Sequence, residues 1–326
     1  MANLSFSELW KLLSSAKKVL ISLHLGPDGD SLGSCLALEY VLKRDCKVEV
    51  DIVSKDPLDA VLGKTDFAKN IKFGKGVSDM NLEGYDLVIL PDSGALKQFV
   101  PVDFKLSNKV NTVSIDHHAS NDGFAKYNYV DNSKISCCSV LLEFFKSVGV
   151  KFDSELSTRL LLGVFTDSGF FAYGKGDSIK EAAFLIENGA EYKSRISEPI
   201  RSNVPLRIMQ YHSLMIKNFK SAEVNGLKVC YSVISMKEID NLKLSLSEAR
   251  SAVNYLSDLE GFDIIFTLTE SEDKIKGSFR SRKGIDVSKY AEALEGGGHK
   301  AAAFILPKMD LKEAERRVLD VVKNCE

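Results

Sequence analysis

The sequence predicts an α/β fold: a mostly parallel sheet flanked by helices, then a smaller α/β domain joined to it by a linker helix. Three observations carry this reading. Between residues 18 and 190, short runs rich in Val, Ile and Leu alternate with helix-period stretches, the pattern of buried parallel strands joined by helical crossovers. Pro199 and Pro205 then interrupt the chain ahead of a helical stretch with Lys and Arg between its apolar positions. Beyond it, strands and helices resume, and 326 residues is long for one core when domains average roughly 150. The expected divisions are a first domain over 1–190, a linker helix within 191–222 and a second domain over 223–326.

The elements follow in order. Ser5 and Glu8 form a capping box that opens an amphipathic helix, so the start of the chain does not read as a signal peptide. Strands are expected at 19–24, 47–53, 85–91 and 110–116, with helices at 31–44, 136–149, 154–166 and 178–188. Such alternation favours a sheet covered on both faces by helices, with its ligand site at the carboxyl ends of the strands. The linker helix is RIMQYHSLMIKNF. Strands at 226–234, 262–270 and 274–281 and helices at 246–260, 286–295 and 310–324 complete the second domain, the last helix capped by Asp310 with Glu313.

Net charge is −2, so the protein as a whole does not attract nucleic acid. Any hold on phosphate must be local, through a metal, a few cationic side chains or helix N-termini. No stretch is long enough to span a membrane. Cys35, Cys46, Cys137, Cys138, Cys230 and Cys325 have neither zinc-finger spacing nor a CxxC motif, and read as reduced residues of a cytoplasmic protein.

Four polar clusters each follow an apolar run. They are His24, Asp28 and Asp30 in HLGPDGD, Asp92 in DLVILPDSG, Asp116, His117 and His118 in VSIDHHAS, and Asp167 in LLGVFTDSGFF. A lone Asp after a strand is usually a cap or turn residue. The set is different, because it uses three of the five histidines. Carboxylates and imidazoles without thiolates suit a hard divalent cation, manganese or magnesium, over structural zinc. The His-x-x-x-Asp-x-Asp spacing lets one loop serve two metals, His24 and Asp28 facing one and Asp30 the other, with Asp92 able to bridge them. Two metals about 3.5–4 Å apart would hold a hydroxide between them and neutralise a phosphate under attack. Gly33 and Ser34, in the first turn of the following helix, read as residues that let it pack close to the sheet.

In the second domain, Gly296-Gly297-Gly298-His299 could turn successive N–H groups toward an anion. Upstream, Ser278-Phe279-Arg280-Ser281-Arg282-Lys283 places three cations at a strand end. Arg282 and Lys283 read equally well as solvated surface charges. Arg280 can clamp a terminal phosphate bidentately while the neighbouring aromatic ring stacks a base.

The combination of HLGPDGDSLGS, DSG, DHH and TDSGFF resembles the DHH phosphoesterases over nearly the whole chain, and most closely their short two-domain NrnA type. The resemblance implies a hydrolase that degrades very short oligoribonucleotides to mononucleotides and dephosphorylates 3′-phosphoadenosine 5′-phosphate with two Mn2+ ions, Mg2+ being the alternative. It implies His24, Asp28 and Asp92 on one metal and Asp30, Asp92, His117 and Asp167 on the other. His118 would face the phosphate, and Asp116 would orient a ligating His. The FRS…DVS…GGGH arrangement resembles the DHH-associated substrate domain, implying that Ser278, Arg280, Arg282, Gly296, Gly297, Gly298 and His299 hold the nucleotide end away from the metals. Two positions depart from the family pattern, Glu295 and Phe304, where glycine is usual.

Short single-stranded RNA and small phosphonucleotides are the expected partners, with no membrane and a homodimer left open. Linear di-adenylate is the enzymatic alternative. RecJ exonucleases and family II pyrophosphatases share the metal motifs, but the former generally carry an additional domain and the latter lack the GGGH type of second domain. An inactive nucleotide sensor would have lost a ligand, and every expected position is filled.

Overall fold

The computed structural model describes residues 3–325 except 60, 102, 105, 108, 109, 173–175, 203, 245–252, 258, 283, 299 and 300. The chain forms two compact units, 1–203 and 204–326.

In the first unit, helix α1 (Phe6–Ser15) opens on the Ser5 and Glu8 capping box. Strand β1 (Lys18–Ser22) leads through the loop at 23–28 into α2 (Gly29–Cys46), and β2 (Glu49–Ser54), β3 (Lys72–Phe73), β4 (Leu87–Ile89), β5 (Thr112–Asp116) and β6 (Tyr127–Val130) follow. Helices α3 (Cys137–Ser147), α4 (Ser154–Asp167), α5 (Gly176–Glu187) and the short α6 (Glu198–Ser202) complete it. The six strands pair in the order β3-β2-β1-β4-β5-β6, each pair parallel. Strands β3 and β6, at the two edges, lie outside the expected set. The order reverses between β1 and β4, and the crevice at such a point is where open α/β sheets bind ligands.

The strands alternate as the pleat requires. Val19, Ile21, Leu87, Ile89, Val113 and Ile115 pack into one core with helices α1 to α5. Leu20, Val53, Val88 and Leu90 face the other way, into a second cluster with Val77, Leu82, Phe99, Val100 and Val110. That second face is covered by the connections that carry Val77, Leu82, Phe99, Val100 and Val110, with short 3-10 turns at 77–79, 82–84 and 96–98. The expectation of helices on both faces fails there, because no sustained helix-period pattern occupies those segments.

Helix α2 is buried along almost its whole length, from Gly29 to Leu42. Its close neighbour is α4, and glycine sets the spacing. A Cβ on Gly33 would lie 2.6 Å from the carbonyl oxygen of Arg159, and one on Gly163 would overlap the Asp30 carboxylate and the Cys138 sulfur. Gly33 therefore serves a helix–helix contact, not the helix–sheet contact the sequence suggested.

In the second unit, α7 (Leu206–Lys217) precedes β7 (Phe219–Val224), β8 (Leu227–Ile234), α8 (Met236–Leu242) and α9 (Val253–Ser257). Then come β9 (Ile264–Glu270), β10 (Lys274–Ser281), α10 (Ser288–Glu292), β11 (Gly297–Gly298), β12 (Ala301–Pro307) and α11 (Leu311–Asn324). The sheet order is β11-β12-β10-β9-β8-β7, antiparallel except for β8 with β9. Ile208, Tyr211 and Met215 of α7 bury one stripe against Cys230, Ile234 and Ile265. The helix read as a linker is thus part of the second unit's core, and β7 occupies residues the linker was expected to reach. Most of the helix expected at 246–260 lies outside the described residues. Among the described residues, no helix is long and apolar enough to cross a membrane.

The α2–α4 spacing gives a direct test. Alanine normally favours a helix by up to about 1 kcal/mol over glycine. Gly33→Ala should nevertheless lower stability, by about 1–3 kcal/mol, because the added carbon meets backbone that cannot rotate away. A lowered urea midpoint is the expected readout, and a raised one would contradict this packing.

Candidate metal centre

Adjacent parallel strands β4, β1 and β5 bring three polar loops side by side at their carboxyl ends. His24 follows β1, Asp92 follows β4, and Asp116 ends β5 ahead of His117 and His118. Asp28 caps α2, its Oδ1 accepting from the amides of Asp30 and Ser31 at 3.1 and 3.0 Å. Asp167 is the last residue of α4.

Asp92 lies between two groups. Its Oδ2 is 3.5 Å from His24 Nε2, and its Oδ1 is 3.5 Å from His117 Nε2. His24 Nε2 is also 3.8 Å from Asp28. His117 Nε2 lies 3.9 Å from Asp30 and 3.4 Å from Asp167. Potential ligand atoms of His24, Asp28 and Asp92, and likewise of Asp30, His117 and Asp167, fall within 4.8 Å of one another. Asp92 adopts a φ of 60°, a left-handed conformation that costs a non-glycine residue energy and recurs at functional sites.

The donor set fits a hard divalent cation. His117 Nε2 is buried and has no hydrogen-bond partner, although three carboxylates surround it. His24 Nδ1 lies 3.0 Å from the Leu25 carbonyl, which fixes the proton on that nitrogen and leaves the Nε2 lone pair toward Asp28 and Asp92.

Crowding of charge shifts the groups unequally. Burial pushes Asp28 up, but the His24 ring and two amides outweigh it and bring the carboxyl down to about 2. Burial, with Asp92 nearby, pushes Asp30 up to about 8. Burial and the charges of Asp30, Asp28 and Asp92 hold Asp167 well above the carboxylate range. Burial pulls His117 down, but Asp92 and Asp30 outweigh it and hold the ring at about 9. Asp30 itself is fully buried, its Oδ2 accepting from the Cys137 amide at 2.6 Å and its Oδ1 from the Cys138 amide at 3.0 Å. These are first-turn donors of α3, where the helix favours a negative charge.

Asp116 differs from the other carboxylates. It is fully buried, with Oδ1 2.7 Å from His118 Nδ1 and 2.8 Å from the His117 amide, and Oδ2 2.7 Å from Asn121 Nδ2. Both oxygens are thus engaged within the protein. The imidazole that Asp116 orients is that of His118, not that of His117, which corrects the expectation that it steers a ligating His. Asn121 escaped the sequence reading. Its only signal was an amide residue in the turn three positions after DHH.

In the second unit, Ser278 and Arg280 lie on one face of β10, and Phe279 points the other way, into the core beside Phe266, Tyr290 and Phe304. Phe279 therefore cannot stack a base. Arg282 donates through Nε and Nη2 to the Ser257 carbonyl. Among the described residues of the glycine run, Gly297 and Gly298 form an extended edge strand paired with Ala303 and Ala302 where a nest was expected. Gly296 packs so tightly on Ala303 and Phe304 that a side chain would collide. Glu295 takes a φ of 60°, where glycine is unstrained. His299 and Lys283 lie outside the described residues.

Comparison with known proteins places this geometry. Residues 18–164 match the DHH family N-terminal domain, and residues 226–325 match the DHHA1 domain. A bifunctional oligoribonuclease and PAP phosphatase NrnA from Thermus thermophilus is 27% identical over 310 residues, covering 94% of this chain and 89% of that protein. The crystal structure of an exopolyphosphatase-related protein from Bacteroides fragilis superposes with a TM-score of 0.85 at 19% identity, covering 98% of this chain and 96% of that one. RecJ from Thermus thermophilus in complex with Mn2+ gives a TM-score of 0.53 at 13% identity, covering 97% of this chain and 53% of that one.

A carboxyl whose folded pKa lies above its unfolded value binds an extra proton on folding, so its cost appears as pH rises. With chelator present, Asp167→Asn should melt above the wild type at pH 7.5. The gap should close as pH falls toward the ordinary carboxylate range. A variant that melts lower than the wild type across that range would contradict the crowding of charge described here.

Proposed function

This chain belongs to the DHH family, as a phosphoesterase of the NrnA type, and from that premise we propose that it hydrolyses very short oligoribonucleotides to mononucleotides and removes the 3′-phosphate from 3′-phosphoadenosine 5′-phosphate. The single observation that carries the reading is Asp92, with one oxygen toward His24 and the other toward His117. His24, Asp28 and Asp92 hold one divalent cation, and Asp30, Asp92, His117 and Asp167 the other. Manganese is supported by the oxygen and nitrogen donor set and by the manganese complex of the structurally similar RecJ. Two such cations, when bound, polarise an attacking water and offset the charge of a phosphate.

The chain's own residues do the rest. Asp30, fully buried, and the partly exposed Asp167 would supply negative charge to a bound cation. His118, the most exposed ring of the cluster at 44%, donates a hydrogen bond to a phosphate oxygen, its other nitrogen held by Asp116. Arg280 and Ser278, on one face of β10, bind a phosphate and sugar of the nucleotide.

Asp92→Asn should abolish turnover with the fold intact, since it removes a negative charge between two dications, and His117→Ala should do the same. Asp116→Asn should fail less completely, because Asp116 acts through His118. Near wild-type hydrolysis by purified Asp92→Asn in Mn2+ would refute the two-metal assignment. Chelator should remove activity and Mn2+ restore it, whereas recovery with zinc alone would contradict a hard-cation site.

Arg280→Ala should raise KM for dinucleotides by about one to two orders of magnitude, the value of a charge-assisted clamp. Product analysis on di- to pentanucleotides, linear di-adenylate, 3′-phosphoadenosine 5′-phosphate and a long RNA tests the substrate class. Equal rates on the long RNA and the dinucleotide would move the reading toward a processive exonuclease.

A further inference from the structure

We propose that Asn121 is a positioning residue for this reaction: it fixes the Asp116 carboxylate in the orientation that aims His118 at the substrate. The proposal rests on the phosphoesterase reading above and adds a residue to it.

The carboxamide is held at both ends. Nδ2 lies 2.7 Å from Asp116 Oδ2, 3.1 Å from the Ser93 carbonyl and 3.4 Å from Ser114 Oγ, while Oδ1 accepts from the Gly123 amide at 2.8 Å. A flipped amide would set oxygen against carboxylate and carbonyl, so the neighbours dictate which end faces Asp116. The remaining oxygen of Asp116 serves His118 and the His117 amide. Asn121, Asp116 and His118 thus form one hydrogen-bonded chain that runs from a turn to the surface of the site.

The same side chain joins two segments that must stay in register. Ser93 follows Asp92, and the Asp122 amide donates to the Gly94 carbonyl at 3.1 Å. A Cβ on Gly94 would lie 2.9 Å from Ser120 Oγ, so the two loops touch. Removing the Nδ2 donor frees Asp116 to rotate, while the backbone bond from Asp122 to Gly94 still ties the loop that carries Asp92 to the turn.

A plainer role would be to stabilise the turn through Gly123 alone. The two roles use different atoms. Asn121→Asp keeps the acceptor for Gly123 and deletes the donor, setting a second carboxylate against Asp116, whereas Asn121→Ala removes both. In the full-length protein, kcat and KM on a dinucleotide with Mn2+, Mn2+ affinity by calorimetry, melting temperature, and the His118 imidazole nitrogen signals in 15N-histidine-labelled samples separate the cases. Both folded variants should lose about 10–100-fold in kcat, Asn121→Asp at least as much as Asn121→Ala, with KM and Mn2+ affinity near wild type and the His118 signals shifted.

Wild-type kcat in Asn121→Asp with a loss only in Asn121→Ala would assign the residue to the turn and overturn the proposal. So would an unshifted His118 signal in both variants, or a loss of Mn2+ affinity that accounts for the loss of rate. If the wild-type protein itself leaves every oligonucleotide uncut while the His118 signals still shift, the substrate reading fails and the positioning role stands.

Discussion

The first unit is organised around a carboxylate with no exposed surface. Asp30 stands in the first turn of α2, accepts two amides from the start of α3, occupies space that a glycine of α4 leaves open, and faces His117 beyond the end of β5. Four elements meet on one side chain. A buried anion is costly unless its lone pairs are met, and here the first turn of a helix meets two of them. The remaining demand is for positive charge, and burial with Asp92 nearby pushes Asp30 up to about 8.

The sheet supplies the geometry for this and the loops supply the donors. Parallel pairing puts three carboxyl ends side by side at the reversal of strand order, so residues as distant in sequence as His24, Asp92 and His117 converge without any special local motif. The backbone at Asp92 takes a left-handed turn, and its amide is tied to the Ile115 carbonyl at 2.9 Å. Stability is given up locally to present one carboxylate to two neighbours, and the surrounding ladder of parallel strands bears the cost.

Much of this was legible in the sequence, for physical reasons. Apolar runs ending in Asp or His announce strand ends at a site, and β1 and β4 were legible because apolar residues fill both of their faces, whereas β5 alternates Val113 and Ile115 with Thr112 and Ser114 yet is buried throughout. What periodicity could not deliver was partner choice. It gave α7 its apolar stripe but not the sheet under which that stripe is buried. It marked Gly33 as a close contact but could not say that α4, over a hundred residues on, was the neighbour. It placed Phe279 beside Arg280, although alternation along a strand sends adjacent side chains to opposite faces. Asn121 was invisible for a different reason, since a turn asparagine looks the same whether it serves its own loop or a carboxylate five residues back.

The ring of Phe304 lies in the buried core over Gly277, its partner across the β10–β12 ladder, and occupies the space where any side chain at 277 would begin. Positions 277 and 304 therefore share one volume. A side chain can be added at 277 only with a smaller residue at 304, and shrinking 304 alone leaves a void, so the effects of the two substitutions on stability are not additive.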